Sequence, residues 1–289
     1  MKYFLISGEA SGDLHAANLI RALRLQDTQS SFVGLGGDKM RAEGCDIRVD
    51  YRDMAYMGVV AVLQNLDKVK RNFRIAKQTL LQERPDVLIL IDYPSFNLKM
   101  AKFCKKHLPH TKVVYYIPPK IWAWKKWRVH SIAKYCDEIL GIFPFEPDFY
   151  AKYGYRCHYV GNPTADCIRA FQLATNNSQL PTIALLPGSR RSEISHCLPT
   201  MLQAARQVAK DQYSIVVAAA PGIEDSFYDS FLLSSEMLTR DTYSLVASAQ
   251  AAVVNSGTAT LETALIGCPQ TAVYHVAGSK YLEKFLRPI

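Results

Sequence analysis

Short apolar runs, rich in β-branched residues, recur along the first half of the chain at residues 3–6, 31–35, 87–91, 113–117, 138–142 and 158–160. Each has the length of a strand covered on both faces, and all but the last are bounded by polar or turn-forming residues. Between them lie segments such as 14–25 and 69–82, where apolar side chains fall three and four apart beside Arg, Lys and Gln. That spacing predicts helices with one buried stripe. Strands alternating with helices imply right-handed βαβ units and a parallel sheet.

A polar stretch at 174–181 separates this region from a second set of the same kind: strands at 182–186, 214–219, 251–254 and 271–275, helices at 198–209 and 258–266. The chain therefore reads as two Rossmann-like α/β domains, residues 1–173 and 182–289. Two features disturb the second. Residues 223–240 are polar and patchy where a further strand is expected, and the pattern stops at Ile289 with its sheet incomplete.

Composition narrows the chemistry. With 289 residues and 49% hydrophobic content, the chain can fill two cores. Lys and Arg outnumber Asp and Glu by 34 to 26, a net charge of +8 that favours an anionic partner such as phosphate, nucleic acid or acidic lipid. The seven cysteines are scattered, with no C-x-x-C pair, and the seven histidines lack H-x-x-x-H or H-E-x-x-H spacing. Neither a disulfide framework nor a metal site is expected, and a reducing cytoplasm fits. The apolar run at 3–6 is too short for a signal peptide, and no stretch reaches the roughly 20 apolar residues of a membrane span. Membrane association, if any, is expected to be peripheral.

Several motifs sit where strands give way to helices. Residues 255–262, Asn-Ser-Gly-Thr-Ala-Thr-Leu-Glu, follow a strand with a small-residue turn that opens a helix. Backbone N–H groups at Ser256, Gly257 and Thr258 would face phosphate oxygens, and Glu262, one turn on, would accept from sugar hydroxyls. A plain Ser/Thr helix cap is the alternative. Gly188, Ser189 and Arg190, in Pro-Gly-Ser-Arg-Arg-Ser-Glu, end the strand at 182–186. Gly188 permits close backbone approach and Arg190 offers planar donors to a pyrophosphate; a capped helix with solvated arginines is the rival reading.

In the first half, the Ser-Gly-Glu-Ala-Ser-Gly-Asp run at 7–13 follows the first strand, and its small residues would leave space at the sheet edge. It is neither a dinucleotide fingerprint nor a P-loop, and Gly-Leu-Gly-Gly at 34–37 also fails the dinucleotide spacing, which disfavours dehydrogenases and P-loop enzymes. Asp92 ends the most apolar strand, where a carboxylate can take a proton from an attacking hydroxyl, or simply cap a turn. All three tryptophans fall within residues 122–127, interleaved with Lys and Arg; lipid headgroups, nucleic-acid bases or core packing would each account for them. Residues 57–66 are apolar nearly all round and run into Lys68, Lys70 and Arg71. This is either a buried helix or an element that meets acyl chains through Val60, Leu63 and Leu66.

In order along the chain, the 7–13 run, the Met57-Gly58 segment, Ile-Asp-Tyr-Pro-Ser-Phe-Asn at 91–97, Trp-Ala-Trp at 122–124, Pro-Phe-Glu at 144–146, Pro-Gly-Ser-Arg at 187–190 and Ser-Gly-Thr-Ala-Thr-Leu-Glu at 256–262 resemble the lipid-A-disaccharide synthases. Any one of these is weak, but the ordered set is specific. The resemblance implies a GT-B glycosyltransferase of Gram-negative bacteria with its two domains facing a cleft. It would act without metal or cofactor, peripherally at the cytoplasmic face of the inner membrane. It would join UDP-2,3-diacylglucosamine to 2,3-diacylglucosamine 1-phosphate, forming a β-1,6-linked disaccharide and UDP, with no nucleic-acid partner.

By the same resemblance Asp92 is the base, with Glu9 and Asp13 as rivals. Arg190 and the 256–258 helix start hold the diphosphate, Glu262 the ribose, while Lys68, Lys70 and Arg71 face phosphates. Family members usually continue for many tens of residues beyond the point where this sequence stops. The alternatives are another UDP-sugar enzyme of this architecture, such as a UDP-N-acetylglucosamine epimerase, or a non-catalytic nucleotide- or lipid-binding protein.

Overall fold

A computed structural model describes residues 1–54, 66–170, 181–210 and 212–274. The chain divides into two compact units, Met1–Pro163 and Thr164–Ile289, ten residues before the end expected for the first domain.

In the first unit, β1 (Lys2–Ser7), α1 (Ala10–Gln26), β2 (Ser31–Gly36), α2 (Asp38–Ala42) and β3 (Asp46–Asp50) are followed by α3 (Leu66–Glu83) and β4 (Val87–Ile91). Then come α4 (Pro94–His107), β5 (Lys112–Tyr116), α5 (Arg128–Tyr135), β6 (Glu138–Gly141), α6 (Glu146–Ala151) and β7 (His158–Tyr159). The seven strands form one sheet in the order β3-β2-β1-β4-β5-β6-β7, every pairing parallel.

The apolar runs are uninterrupted because alternate residues serve opposite cores. Phe4, Ile6, Leu88 and Leu90 pack with Leu80, Met100 and Cys104 on one face. Tyr3, Leu5, Val87, Ile89 and Ile91 pack with Ala16 and Ile20 of α1 on the other. A two-faced strand has no polar side, so the period of two vanishes from its sequence.

The second unit carries α7 (Pro163–Ala170), β8 (Thr182–Leu186), α8 (Arg191–Ala209), β9 (Ser214–Ala218), β10 (Met237–Thr239), α9 (Thr242–Ser248), β11 (Ala251–Asn255), α10 (Thr258–Ile266) and β12 (Gln270–Val273). Among the described residues its sheet has five strands, ordered β10-β9-β8-β11-β12, again all parallel. Ile183, Leu185, Ile215 and Val217 meet Ile194, Leu198 and Met201 of α8, while Ala184, Leu186, Val216 and Ala218 meet Leu245 and Val246 of α9.

Two expectations need correction. The strand missing from 223–240 is β10, a three-residue edge with no fully buried member. The helix expected at 198–209 begins seven residues earlier, at Arg191, and runs through Pro199.

Candidate active site

Strand order reverses once in each sheet. β2 and β3 extend from one side of β1 and β4 begins the other; β9 and β10 extend from one side of β8 and β11 begins the other. At such a switch point the loops leaving two neighbouring strands run to opposite faces, opening a crevice at the carboxyl ends. Glu9 follows β1 and Asp92 follows β4; Gly188, Ser189 and Arg190 follow β8, and 256–258 follow β11. The sequence-predicted residues are thus sorted onto the switch points, each unit taken by itself.

In the first unit Asp92 and Tyr93 both adopt left-handed backbone, φ +44° and +46°, a conformation costing about 1–3 kcal/mol per non-glycine residue. The surroundings enforce it. Asp92 N donates to Ile117 O at 3.2 Å, and Asp92 O accepts from Asn97 Nδ2 at 2.6 Å and from the Tyr115 hydroxyl at 2.7 Å. The Tyr93 hydroxyl donates to Met54 O at 2.6 Å. These bonds from Asp92 all run through its main chain.

Crowding by protein raises the Asp92 carboxyl pKa above its ordinary value, while a hydrogen bond from Tyr93 N–H and the charge of Lys120 pull it back. The residue nevertheless retains exposed surface. Crowding governs its proton affinity and the exposed surface governs access, so the carboxyl is both raised in pKa and reachable.

The other two carboxylates of this unit differ. Glu9 is the extended N-cap of α1 and places no side-chain hydrogen bond on the helix. Asp13 is buried, 3% exposed, and accepts from Gly37 N at 2.7 Å, Lys39 N at 3.1 Å and Met40 N at 3.3 Å. It caps α2 from outside, satisfying amides that no residue of α2 itself can reach. Gly36 and Gly37 make room for it, since a Cβ at Gly37 would lie 2.8 Å from Asp13 Oδ2. The small residues of 7–13 were expected to leave open space. Instead, a Cβ at Gly12 would meet Ser7 Oγ at 2.6 Å and one at Gly8 would meet the Tyr93 ring, so protein fills that space.

Lys68, Lys70 and Arg71 are exposed on α3. Val60 and Leu63 lie outside the described residues, as does the side chain of Leu66.

In the second unit Gly188 has φ +122°, and a Cβ there would stand 2.8 Å from both Asn255 Nδ2 and Glu193 Cβ. The turn after β8 therefore meets the last residue of β11 at a point where only glycine fits. Glu193 accepts from Ser189 N at 2.9 Å and from Arg190 Nη1 at 2.5 Å, which orients the Arg190 guanidinium before any ligand arrives. Ser256, Gly257 and Thr258 are exposed, but the Ser256 amide, expected to face phosphate, instead donates to Val273 O at 2.7 Å as the β11–β12 ladder runs on. α10 starts without a side-chain cap, so the amides at its start and its positive dipole end remain for an anion. Farther along α10, Glu262 Oε1 accepts from the Tyr243 hydroxyl of α9 at 3.0 Å. The Tyr243 pKa is raised, chiefly by burial and then by the Glu262 charge.

The lipid-A-disaccharide synthetase family matches residues 3–285. The lipid-A-disaccharide synthase of Trichlorobacter lovleyi is 40% identical over 289 residues, covering 96% of this chain and 75% of the relative. The chain belongs to the lipid-A-disaccharide synthetase family.

Membership makes it a glycosyltransferase. UDP-GlcNAc 2-epimerase from Neisseria meningitidis, bound to UDP-GlcNAc, superposes with a TM-score of 0.63 at 12% identity, covering 98% of this chain and 85% of that one. The glycosyltransferase SnogD from Streptomyces nogalater gives 0.51 at 17%, covering 95% and 81%. Both likenesses concern the fold alone. Within this family member, sequence reasoning assigned no role to Glu193, Tyr243, Asn97 or the Tyr93 ring. Asn97 carried a signal: placed in the first turn of α4, it reaches back to the carbonyl of Asp92. Tyr243 carried none.

Proposed function

We propose that this chain transfers 2,3-diacylglucosamine from UDP-2,3-diacylglucosamine to 2,3-diacylglucosamine 1-phosphate, with inversion, giving the β-1,6-linked disaccharide 1-phosphate and UDP. The observation that carries the reading is the family match across residues 3–285.

The 6-hydroxyl of the acceptor gives its proton to Asp92 as its oxygen bonds to the donor's anomeric carbon. The bond from that carbon to the diphosphate breaks, and UDP leaves with the electron pair. A raised carboxyl pKa makes Asp92 a stronger base than a surface aspartate, suited to an alkoxide that forms only in the transition state. Asp13 is occupied by three backbone amides, which supports Asp92 over Asp13 as the base; Glu9 is taken as a group that positions the acceptor. Gly188, Ser189 and Arg190 and the Gly257 and Thr258 amides receive the diphosphate, whose charge grows as the bond breaks, with the exposed Ser256 beside them. Glu262 takes the ribose hydroxyls.

The acylated substrates place the enzyme peripherally at the cytoplasmic face of the inner membrane, with the net charge of +8 and exposed Lys68, Lys70 and Arg71 toward anionic headgroups. No described helix is long and apolar enough to cross a membrane.

The test is disaccharide formation from defined acylated substrates by the parent and by Asp92→Asn. The parent forms the disaccharide, and the variant loses about 100-fold or more. A folded variant with near-normal rate removes Asp92 as base; a parent that forms no glycosidic bond, or epimerises the donor, removes the function.

A further inference from the structure

Residues 93–136 hold ten of the chain's 34 Lys and Arg and none of its 26 Asp and Glu. This one stretch outweighs the entire net charge of +8. Within it Lys105 pairs with Asp137 and Lys112 with Glu138, both flanking the sheet, whereas Lys125, Lys126 and Arg128 form no ion pair with a described residue.

Lys125 and Lys126 sit in the loop between β5 and α5 and Arg128 opens α5, and the loop is held at its base. Ile121 and Val129 are buried, and the Trp122 ring stands edge-on to Phe143 and Phe145 with centroids 6.0 and 5.1 Å away. From this base Trp124 and Trp127 project outward, 75% and 64% exposed. Lys125 Nζ lies 4.7 Å from the Trp124 ring centre and Arg128 Cζ 5.6 Å from that of Trp127. A single exposed apolar residue needs no explanation, but two indoles carried by an anchored loop among cations without an ion pair to any described residue do; Arg128 also donates to Ser95 Oγ at 3.4 Å. Indole prefers the headgroup layer of a bilayer, apolar body inward and N–H toward water, and each nearby Lys or Arg adds attraction to anionic lipid. The loop leaves the carboxyl end of β5, next to β4 in the sheet, and its Lys120 acts on the Asp92 carboxyl.

We propose that loop 120–128 is a bilayer contact, in which Trp124 and Trp127 enter the headgroup layer of an anionic phospholipid surface and Lys125, Lys126 and Arg128 engage its phosphates. It rests on the reading that the substrates are lipids. It is separate from the 60–71 segment and brings the membrane to the same sheet edge as the base.

The experiment uses the full chain with vesicles of phosphatidylglycerol and phosphatidylcholine whose acyl chains are brominated near the headgroup. Tryptophan emission is quenched on binding. Trp124→Phe/Trp127→Phe, which keeps Trp122, loses most of the quenching, and Lys125→Glu/Lys126→Glu weakens binding on the order of tenfold or more. Trp124, Trp127 and Lys126 are exposed and Lys125 half-buried, and circular dichroism confirms the fold. Unchanged quenching in the double Phe variant, equal binding to pure phosphatidylcholine, or a preference for single-stranded RNA over vesicles overturns the proposal. Disaccharide formation in detergent, read in parallel, stays at the parental rate in both variants. If vesicle binding behaves as stated but no disaccharide forms, the catalytic reading fails and the lipid surface stands.

Discussion

The Tyr93 ring occupies the space where a side chain at position 8 would begin: a Cβ on Gly8 would lie 2.4 Å from Tyr93 Cγ. Glycine at this position is therefore a condition for the loop after β4, because the ring is pinned by its hydroxyl on Met54 O and by Phe96, 5.8 Å away. Gly8→Ala must displace Tyr93, and with it the strained Asp92 beside it. The expected result is a loss of about 1–3 kcal/mol in denaturant unfolding with kcat down at least tenfold. Stability and kcat both at parental values would show that the two loops are not coupled.

Asp13 and Asp92 separate by opposite effects. Asp13→Asn replaces an acceptor for three backbone amides at the start of α2 and should cost roughly 1–3 kcal/mol of stability, with kcat per folded molecule changed little. Asp92→Asn should lose activity without losing stability. Paired melting curves and rate measurements check this. A stable Asp13→Asn with abolished turnover would reverse the assignment.

The raised Asp92 pKa also fixes the sign of a pH dependence. Because the folded value lies above the unfolded one, folding favours the protonated carboxyl. This contribution is present at low pH and is lost as pH rises through the folded pKa, so at neutral pH Asp92→Asn should melt no lower than the parent. Catalysis runs the other way. The base must be ionised, so kcat/KM falls as pH drops through a value above the ordinary aspartate pKa of about 3.9. Lys120→Met removes a charge that lowers this pKa and should move the acidic limb upward. A limb that stays put in Lys120→Met, or moves down, contradicts the assignment.

The Tyr243 hydroxyl on Glu262 predicts a binding effect. Tyr243→Phe leaves the ring in place and removes the donor, so Glu262 loses one of the contacts that orient it. UDP affinity should weaken roughly three- to tenfold, the worth of one hydrogen bond of about 0.5–1.5 kcal/mol, with little change in melting temperature. Calorimetric titration with UDP measures it, and an affinity equal to the parent's would separate Glu262 from nucleotide binding.

What was legible in the sequence follows from how local each feature is. Strands β1, β4 and β8 are buried along almost their whole length, so their apolar runs and the turns after them marked both sheets, and Asp92, Arg190 and Ser256 could be placed at strand ends. β3, with one buried residue, and β10, with none, are edge strands whose outer sides need no apolar residue, and they left no pattern. The contacts that tune the site were equally hidden. Asp13 reaches Gly37 across 24 residues and Tyr243 reaches Glu262 across 19, distances over which no local periodicity operates. The glycines misled for the same reason: Gly8 and Gly12 suggested room for a ligand, whereas Tyr93 and Ser7 take that room.

Gly188 is where the proposed diphosphate seat can be broken by a single methyl group. Its φ of +122° belongs to a region that L side chains rarely adopt, and a Cβ would press to 2.8 Å against Asn255 Nδ2 on one side and Glu193 on the other. Neither neighbour is a loose chain end. Asn255 is buried and accepts from Cys197 Sγ at 3.6 Å, and Glu193 is bound to Ser189 N and Arg190. Gly188→Ala should therefore cost about 1–3 kcal/mol of backbone strain and swing Glu193 away, releasing Arg190. UDP affinity is expected to fall more than tenfold. Glu193→Gln supplies the control: it keeps the shape, weakens only the hold on Arg190, and should give a smaller loss of UDP affinity at near-parental stability. If Gly188→Ala folds and binds UDP within twofold of the parent, the β8 turn does not carry the diphosphate, and the α10 start must bear that role alone.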